Sequence, residues 1–449
     1  MENYNPLGER KISRLLIQFS IPAMVGMMVN TIYNIVDRIY IGNSADIGTN
    51  GIGGITLVFP IMIVLMSMGM LFGMGGATLF SIRLGEQRKD EAENVLGNSF
   101  VMLTIAGVTF MILGQIFLRP ILLSFGASDE ILPYAVEYAR VIFFGAVFQV
   151  VGMGMNNFIR ADGRPNIAML TMFVGAGTNI ILDPIFIFVF NMGMTGAALA
   201  TIISQALSCI WVVLYFVGKR SGSKLKLCYM KLKLTIVTKI ASLGLPGSLM
   251  QLASSVLNVI LNKSLIQYGG DIAISAMGII HSLQMFLVMP VIGLNQGSQP
   301  IISFNFGAKK YDRIKETVKL AIISATVLVS IGYVFVRFFP VQMVSLFNRE
   351  PELLNFGKKA MLTWMMLLPV VGFQVVASNF FQAIGRYKTA MFLTLSRQII
   401  FLIPAVLVFS RIWGIDGLLH AAPFADAVSS VLTGVFFYFG IRKLGKEPA

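Results

Sequence analysis

Twelve apolar runs, each long enough to cross a bilayer as a helix, recur along the chain and leave room for little else. They fall at about 15–40, 51–80, 95–118, 133–159, 166–190, 194–217, 238–266, 275–303, 317–339, 356–384, 389–410 and 416–440 of the 449 residues. A helix rises about 1.5 Å per residue, so about 20 apolar residues cover a hydrocarbon core of about 30 Å. Composition agrees: 56% of residues are hydrophobic and 12% charged, with a mean hydropathy of +0.78. A soluble domain carries about 25% charged residues to keep its surface wet. The expected fold is an all-α membrane protein with twelve transmembrane helices, whose many internal Gly and Pro residues are tolerated because neighbouring helices satisfy the freed backbone groups.

The formal net charge of +14 raises the question of a nucleic-acid partner. The basic residues instead sit in short clusters between apolar runs, with no basic stripe or base-stacking module, so no nucleic acid is expected. The clusters around Arg10, Arg88, Arg164, Lys219–Lys239, Lys309, Arg386 and Arg442 all fall on one side if both termini are cytoplasmic, which is the orientation the positive-inside rule favours. The polar stretch Met1–Arg14 leads into a long span with no cleavage site behind a short apolar region, so no removable signal peptide is expected. Cys209 and Cys228 are the two cysteines and show no metal-ligand spacing. No G-x-x-x-x-G-K-[ST] loop occurs, and GMLFGMGG lies inside a span, so a nucleotide site is not expected. No nucleophile elbow or His/Cys cluster occurs either, which speaks against an enzyme and against any cofactor.

The halves repeat one another. Gly75 pairs with Gly297, Gly85 with Gly307, Gly163 with Gly385 and Arg164 with Arg386, all at an offset of 222, while Pro22 and Asn34 pair with Pro246 and Asn258 at 224. Duplication of a six-helix unit explains these matches, and an even number of spans per copy gives both copies the same orientation. The expected organisation is two pseudo-symmetric six-helix lobes, 1–218 and 240–449, joined by a basic cytoplasmic linker at 219–239. A solute path is expected between such repeats near the midplane.

An ionised side chain inside a span costs about 2.5–3.5 kcal/mol on insertion scales, so those that persist are functional candidates. In the first half they are Asp37, near the outer end of span 1, and Asp183 in span 5. Asn179 lies one helical turn before Asp183 on the same face. Thr201 in span 6 adds a hydroxyl if that helix packs alongside. Two carboxylates, an amide and a hydroxyl make an all-oxygen site for a proton or a hard cation such as Na⁺. The competing reading has each Asp neutralising a buried donor. The second half offers Arg397, Asp426 and His281, which with Tyr33 and Asn157 in the first half are candidates for a substrate cavity or a structural pair; Arg397 and Asp426 suit one intramembrane ion pair. The acidic pair is not duplicated, since Asp37 aligns with Leu261 and Asp183 with Ala405. The 27 Met and 35 Phe residues suit a cavity that accepts many amphipathic cations.

The run SIPAMVGMMVNTIYNIVDRIYIG, the NIILDPIF segment, the ADGRPN and AIGRYKT loops and the duplicated small-residue segments together resemble the multidrug and toxic compound extrusion (MATE) family, over nearly the whole chain. The resemblance implies two six-helix lobes around a cleft that opens alternately to either side, and exchange of H⁺ or Na⁺ for organic cations. It implies ion coupling at Asp37, Asn179, Asp183 and Thr201, and a bending first helix at Pro22. Some branches carry further acidic residues in spans 7 and 10; here those regions hold Ser254, Ser255 and Gln374. A lipid-linked oligosaccharide flippase shares the two-lobe plan, but its cleft would need several basic residues to hold a pyrophosphate. The expectation is therefore a monomeric, multi-pass antiporter of the cell membrane, with organic cations and membrane lipid as its partners.

Overall fold

The computed structural model describes residues 6–42, 48–125, 129–347 and 349–445, and among these every regular element is helical. Helix α1 is Ile12–Gly42. Helix α2 starts at Gly48–Gly69 and continues through a π-helical turn, Met70–Met74, into Gly75–Gly85. Helices α3 (Lys89–Ser124), α4 (Leu132–Ala161), α5 (Pro165–Pro184, ending in the π-turn Ile185–Val189) and α6 (Gly193–Val217) complete the first six.

The 74 residues Leu234–Gly307 cannot be one span, because at about 1.5 Å per residue they would reach about 110 Å. They break at Gly270, whose backbone (φ 64, ψ −160) only glycine adopts without strain. This gives α7 (234–269) and α8 (271–307). Helix α9 is Tyr311–Phe338, and α10 joins Pro351–Trp364 to Leu368–Ala383 with a bend of 45°. Pro369 follows that bend, and the amide hydrogen it lacks is the one that would pair with the Met365 carbonyl. The stretch Tyr387–Lys443 divides in the same manner at Gly414 (φ 60, ψ −138) into α11 (387–413), with a π-turn at Ser396–Leu402, and α12 (415–443). Nine stretches are long and apolar enough to span, ten with the bent pair, and the two glycine breaks bring the described spans to twelve.

The duplication is written into the backbone. Gln87 (φ 62) and Lys309 (φ 56), 222 residues apart, both take the left-handed conformation, as do Gly163 (φ 87) and Gly385 (φ 83). The same closing hydrogen bonds recur: Arg88 N to Arg83 O and Lys310 N to Asn305 O, both 2.9 Å, then Arg164 N to Ile159 O at 3.1 Å and Arg386 N to Phe381 O at 2.9 Å. Each is the six-to-one bond that ends a helix on a left-handed residue and turns the chain into the next.

The chain forms two compact units whose borders run through helices: residues 25–251 belong to the first, and 8–24 with 252–449 to the second. The sequence suggests a change of lobe across 219–239. In the structure each repeat lends the first half of its leading helix to the other unit. Glycines make the fit. In the first unit a Cβ on Gly75 would overlap the Ile240 carbonyl oxygen, and one on Gly244 the Leu71 carbonyl oxygen. In the second, a Cβ on Gly293 would stand 2.6 Å from Met24 Cα, and one on Gly297 2.7 Å from Ser20 Cα. With lipid as apolar as leucine, backbone approach of this kind is what holds spanning helices together.

Residues 219–233 lie along the first unit rather than hanging free. Asn98 in α3 donates to the carbonyls of Tyr229 and Lys231 at 3.3 Å each and accepts from Lys233 N at 2.8 Å. Glu93, buried, pairs with Lys226 at 2.6 Å and accepts from Lys224 N at 3.0 Å. Asp162, just beyond α4, accepts from Tyr215 at 2.6 Å, Ser221 at 3.1 Å and Gly222 N at 2.9 Å.

Candidate functional site

The antiparallel pair α5 and α6 sets the site. Gly175 leaves room for Ser208, whose hydroxyl donates to the Thr171 carbonyl at 3.3 Å, and this register carries Thr201 opposite Asn179. Asn179 Nδ2 donates to Asp183 Oδ1 at 3.3 Å and to Thr201 Oγ1 at 3.5 Å, while the Thr201 hydroxyl donates to the Ala197 carbonyl at 3.1 Å. The Asp37 carboxyl of α1 lies close enough to Asp183 for the two charges to act on each other. All four side chains are buried. Asp183 lies just before Pro184, and the missing amide hydrogen of that proline is followed by the π-turn Ile185–Val189.

The charge around Asp183 is acidic. Its charged neighbour is Asp37, and no basic side chain among the described residues bonds to it. Asp183 Oδ2 and Asn179 Oδ1 are buried and accept no hydrogen bond from the described residues. Two neighbouring carboxyls repel if both are ionised, and a proton or a metal cation would relieve that repulsion. Oxygen donors from two carboxylates, an amide and a hydroxyl fit a small hard cation.

Two tyrosines border the site. Tyr33, one turn before Asp37 on α1, lies within electrostatic reach of Asp37 and Asp183. The buried Tyr138 of α4 lies close to Thr201 and within electrostatic reach of Asp37. The spacing of Tyr33 to Asp37, one helical turn, carries their proximity in the sequence. Tyr138 had no signal, being one aromatic among many in an apolar run.

The other candidates lie elsewhere. Asn157 accepts from Arg160 Nη2 at 2.7 Å near the end of α4 and does not join the acidic pair. His281 in α8 sits 6.3 Å, ring to ring, from Trp364. Arg397 Nε donates to Asp426 Oδ1 at 2.6 Å within the second unit. Pro22 lies inside the unbroken helix α1.

Two repeats of six spanning helices, with an acidic oxygen cluster inside the first unit, define a polytopic membrane protein of the internally duplicated helical class. The MatE family profile matches residues 22–185 and 246–407, once on each repeat. The chain belongs to the MatE family. Among curated relatives, "Multidrug export protein MepA" of Staphylococcus haemolyticus (strain JCSC1435) is 29% identical over 97% of this chain and 95% of its own length. Among solved structures, the MATE multidrug transporter DinF-BH is 36% identical, with a TM-score of 0.90 over 98% of this chain and 99% of that one. An outward-facing multidrug resistance MATE family transporter of the MOP superfamily gives a TM-score of 0.92 at 26% identity, covering 98% of both chains.

Proposed function

We propose that this protein is a secondary active antiporter that exports organic cations in exchange for H⁺ or Na⁺, with the ion held at Asp37, Asn179, Asp183 and Thr201. The closeness of Asp37 to Asp183, with no base among the described residues bonded to Asp183, carries the reading, because such a carboxyl pair exchanges charge with whatever ion reaches it. Loss of the ion leaves repulsion that substrate cation or a change of conformation relieves, so ion and drug compete for one charge state. One charge crossing 100 mV supplies about 2.3 kcal/mol, enough for roughly a 40-fold substrate gradient at 1.4 kcal/mol per tenfold. The multidrug labels of the 29% and 36% identical relatives support organic, structurally varied substrates. A flippase holding pyrophosphate would call for several basic groups in its cleft, whereas Arg397 is a single one and its charge is balanced by Asp426.

The rest of the reading follows from sequence. The protein works as a monomer in the cell membrane with both termini cytoplasmic, and Pro22, which leaves the Gln18 carbonyl without its helical partner, is where α1 bends. The test is reconstitution of the pure protein in liposomes, with pH and Na⁺ gradients imposed separately and ATP absent. Dye export should follow one gradient and collapse in Asp37→Asn and Asp183→Asn. Export that runs without either gradient, or that stays coupled in both variants, overturns the proposal.

A further inference from the structure

We infer that Arg397 is an anion-accepting subsite, which takes the carboxylate of zwitterionic organic substrates. The inference deepens the exporter reading and rests on it. Arg397 is the tenth residue after Tyr387, about 15 Å along α11, half the depth of a core of about 30 Å. A guanidinium at that depth is costly against hydrocarbon. Its side chain nonetheless keeps 21% exposure, against 4% for Asp426, so the exposed part faces water or a ligand.

The geometry says which part is free. The bond to Asp426 runs through Nε, and among the described residues neither terminal nitrogen has a protein partner. The open edge formed by Nη1 and Nη2 is the edge that binds a carboxylate with two parallel hydrogen bonds. Asp426 fixes the plane of the group and cancels its charge without occupying that edge. The side chain leaves from the π-turn Ser396–Leu402, an irregularity common at functional positions. Beside it Gln398 donates to Ser254 Oγ at 2.9 Å, which ties the turn to α7. A residue kept only for structure would gain by turning its fork onto both oxygens of Asp426.

The test uses a rhodamine with a free carboxylate and its ethyl ester, titrated by fluorescence anisotropy against the purified protein in detergent. Arg397→Gln should weaken the acid by about tenfold, the scale of one charged hydrogen bond, and leave the ester unchanged. Should that variant melt early through the unpaired Asp426, Arg397→Gln with Asp426→Asn removes both charges and should give the same selective loss. Benzoate should displace the acid dye from the wild-type protein and spare the ester. Equal weakening of both dyes, no weakening of either, or benzoate acting on both or neither overturns the assignment. Failure of the exporter reading would appear separately, as absent gradient-driven export with the acid-selective loss intact.

Discussion

Asn179 and Asp183 stand one turn apart on α5, and the amide of the first donates to the carboxyl of the second at 3.3 Å. The bond orients a carboxyl that has another carboxyl, Asp37, as its charged neighbour. Asp426 is the opposite case, bound at 2.6 Å to a base. Asp183→Asn and Asp37→Asn should therefore leave the thermal midpoint unchanged or higher, because they remove a repulsion. Asp426→Asn leaves Arg397 unpaired and should cost on the order of 3 kcal/mol, at the low end for a broken internal pair because Arg397 is partly exposed. Melting curves of the three variants in one detergent check this; destabilisation by Asp183→Asn equal to that by Asp426→Asn would show that Asp183 serves as a structural anion.

The glycine contacts predict a contrast within one unit. Gly244→Ala forces a methyl group into the Leu71 carbonyl, and backbone must shift. The loss should reach or exceed about 1–3 kcal/mol, the range typical of overpacking. Gly177→Ala on α5 meets nothing within 4 Å and should be neutral or slightly stabilising. Folded yield and melting temperature of the two variants, side by side, are the measurement.

Asp162 makes a pH prediction outside the spans. Burial pushes its pKa above the usual carboxylate value, against the hydrogen bonds from Tyr215, Gly222 and Ser221 that favour the charged form. The folded protein then holds this proton more tightly than the unfolded chain does. Its contribution to stability is complete below the unfolded pKa of about 3.9 and declines as pH rises through the higher folded value. Asp162→Asn, which cannot ionise, should flatten that part of the melting-temperature profile above about pH 4; parallel profiles for the variant and the wild type would count against it.

Topology can be read from the native thiols, since Cys228 is exposed and Cys209 buried. With the 219–239 segment cytoplasmic, a membrane-impermeant maleimide should leave intact cells unlabelled and modify Cys228 in inverted vesicles. A cysteine placed at Glu350 on a Cys228→Ser background should give the reverse. Labelling of Cys228 from outside would invert the orientation.

Much of this architecture is legible in the sequence because hydrophobic length and repeat offset are one-dimensional signals. The offset of 222 that pairs Gly163 with Gly385 in the letters reappears as the same left-handed turn in the backbone. Asp37 and Asp183 stand out because charge is rare in an apolar run. Other features depend on what lies opposite, which no local pattern encodes. Tyr138 comes near Thr201 only through the packing of α4 on α6, and the backbone bonds of the segment after Val217 to Asn98 and Glu93 leave no trace in the letters. The three π-turns follow no shared motif in the letters, although Pro184 accounts for the one after α5.

The lending of helix halves between the two units has a consequence for how the chain is made. Residues 8–24 leave the ribosome well before the surfaces they pack on, at Gly293, Gly297 and Phe304, which are synthesised more than 250 residues later. The first unit in turn stays incomplete until 234–251 has emerged to meet Leu71 and Gly75. At about 5–20 residues per second, the opening half-helix waits about 14 seconds or more for its partner. Neither half of the sequence alone contains all the residues of one unit, so two halves expressed as separate chains should complete their units only once both have reached the same membrane.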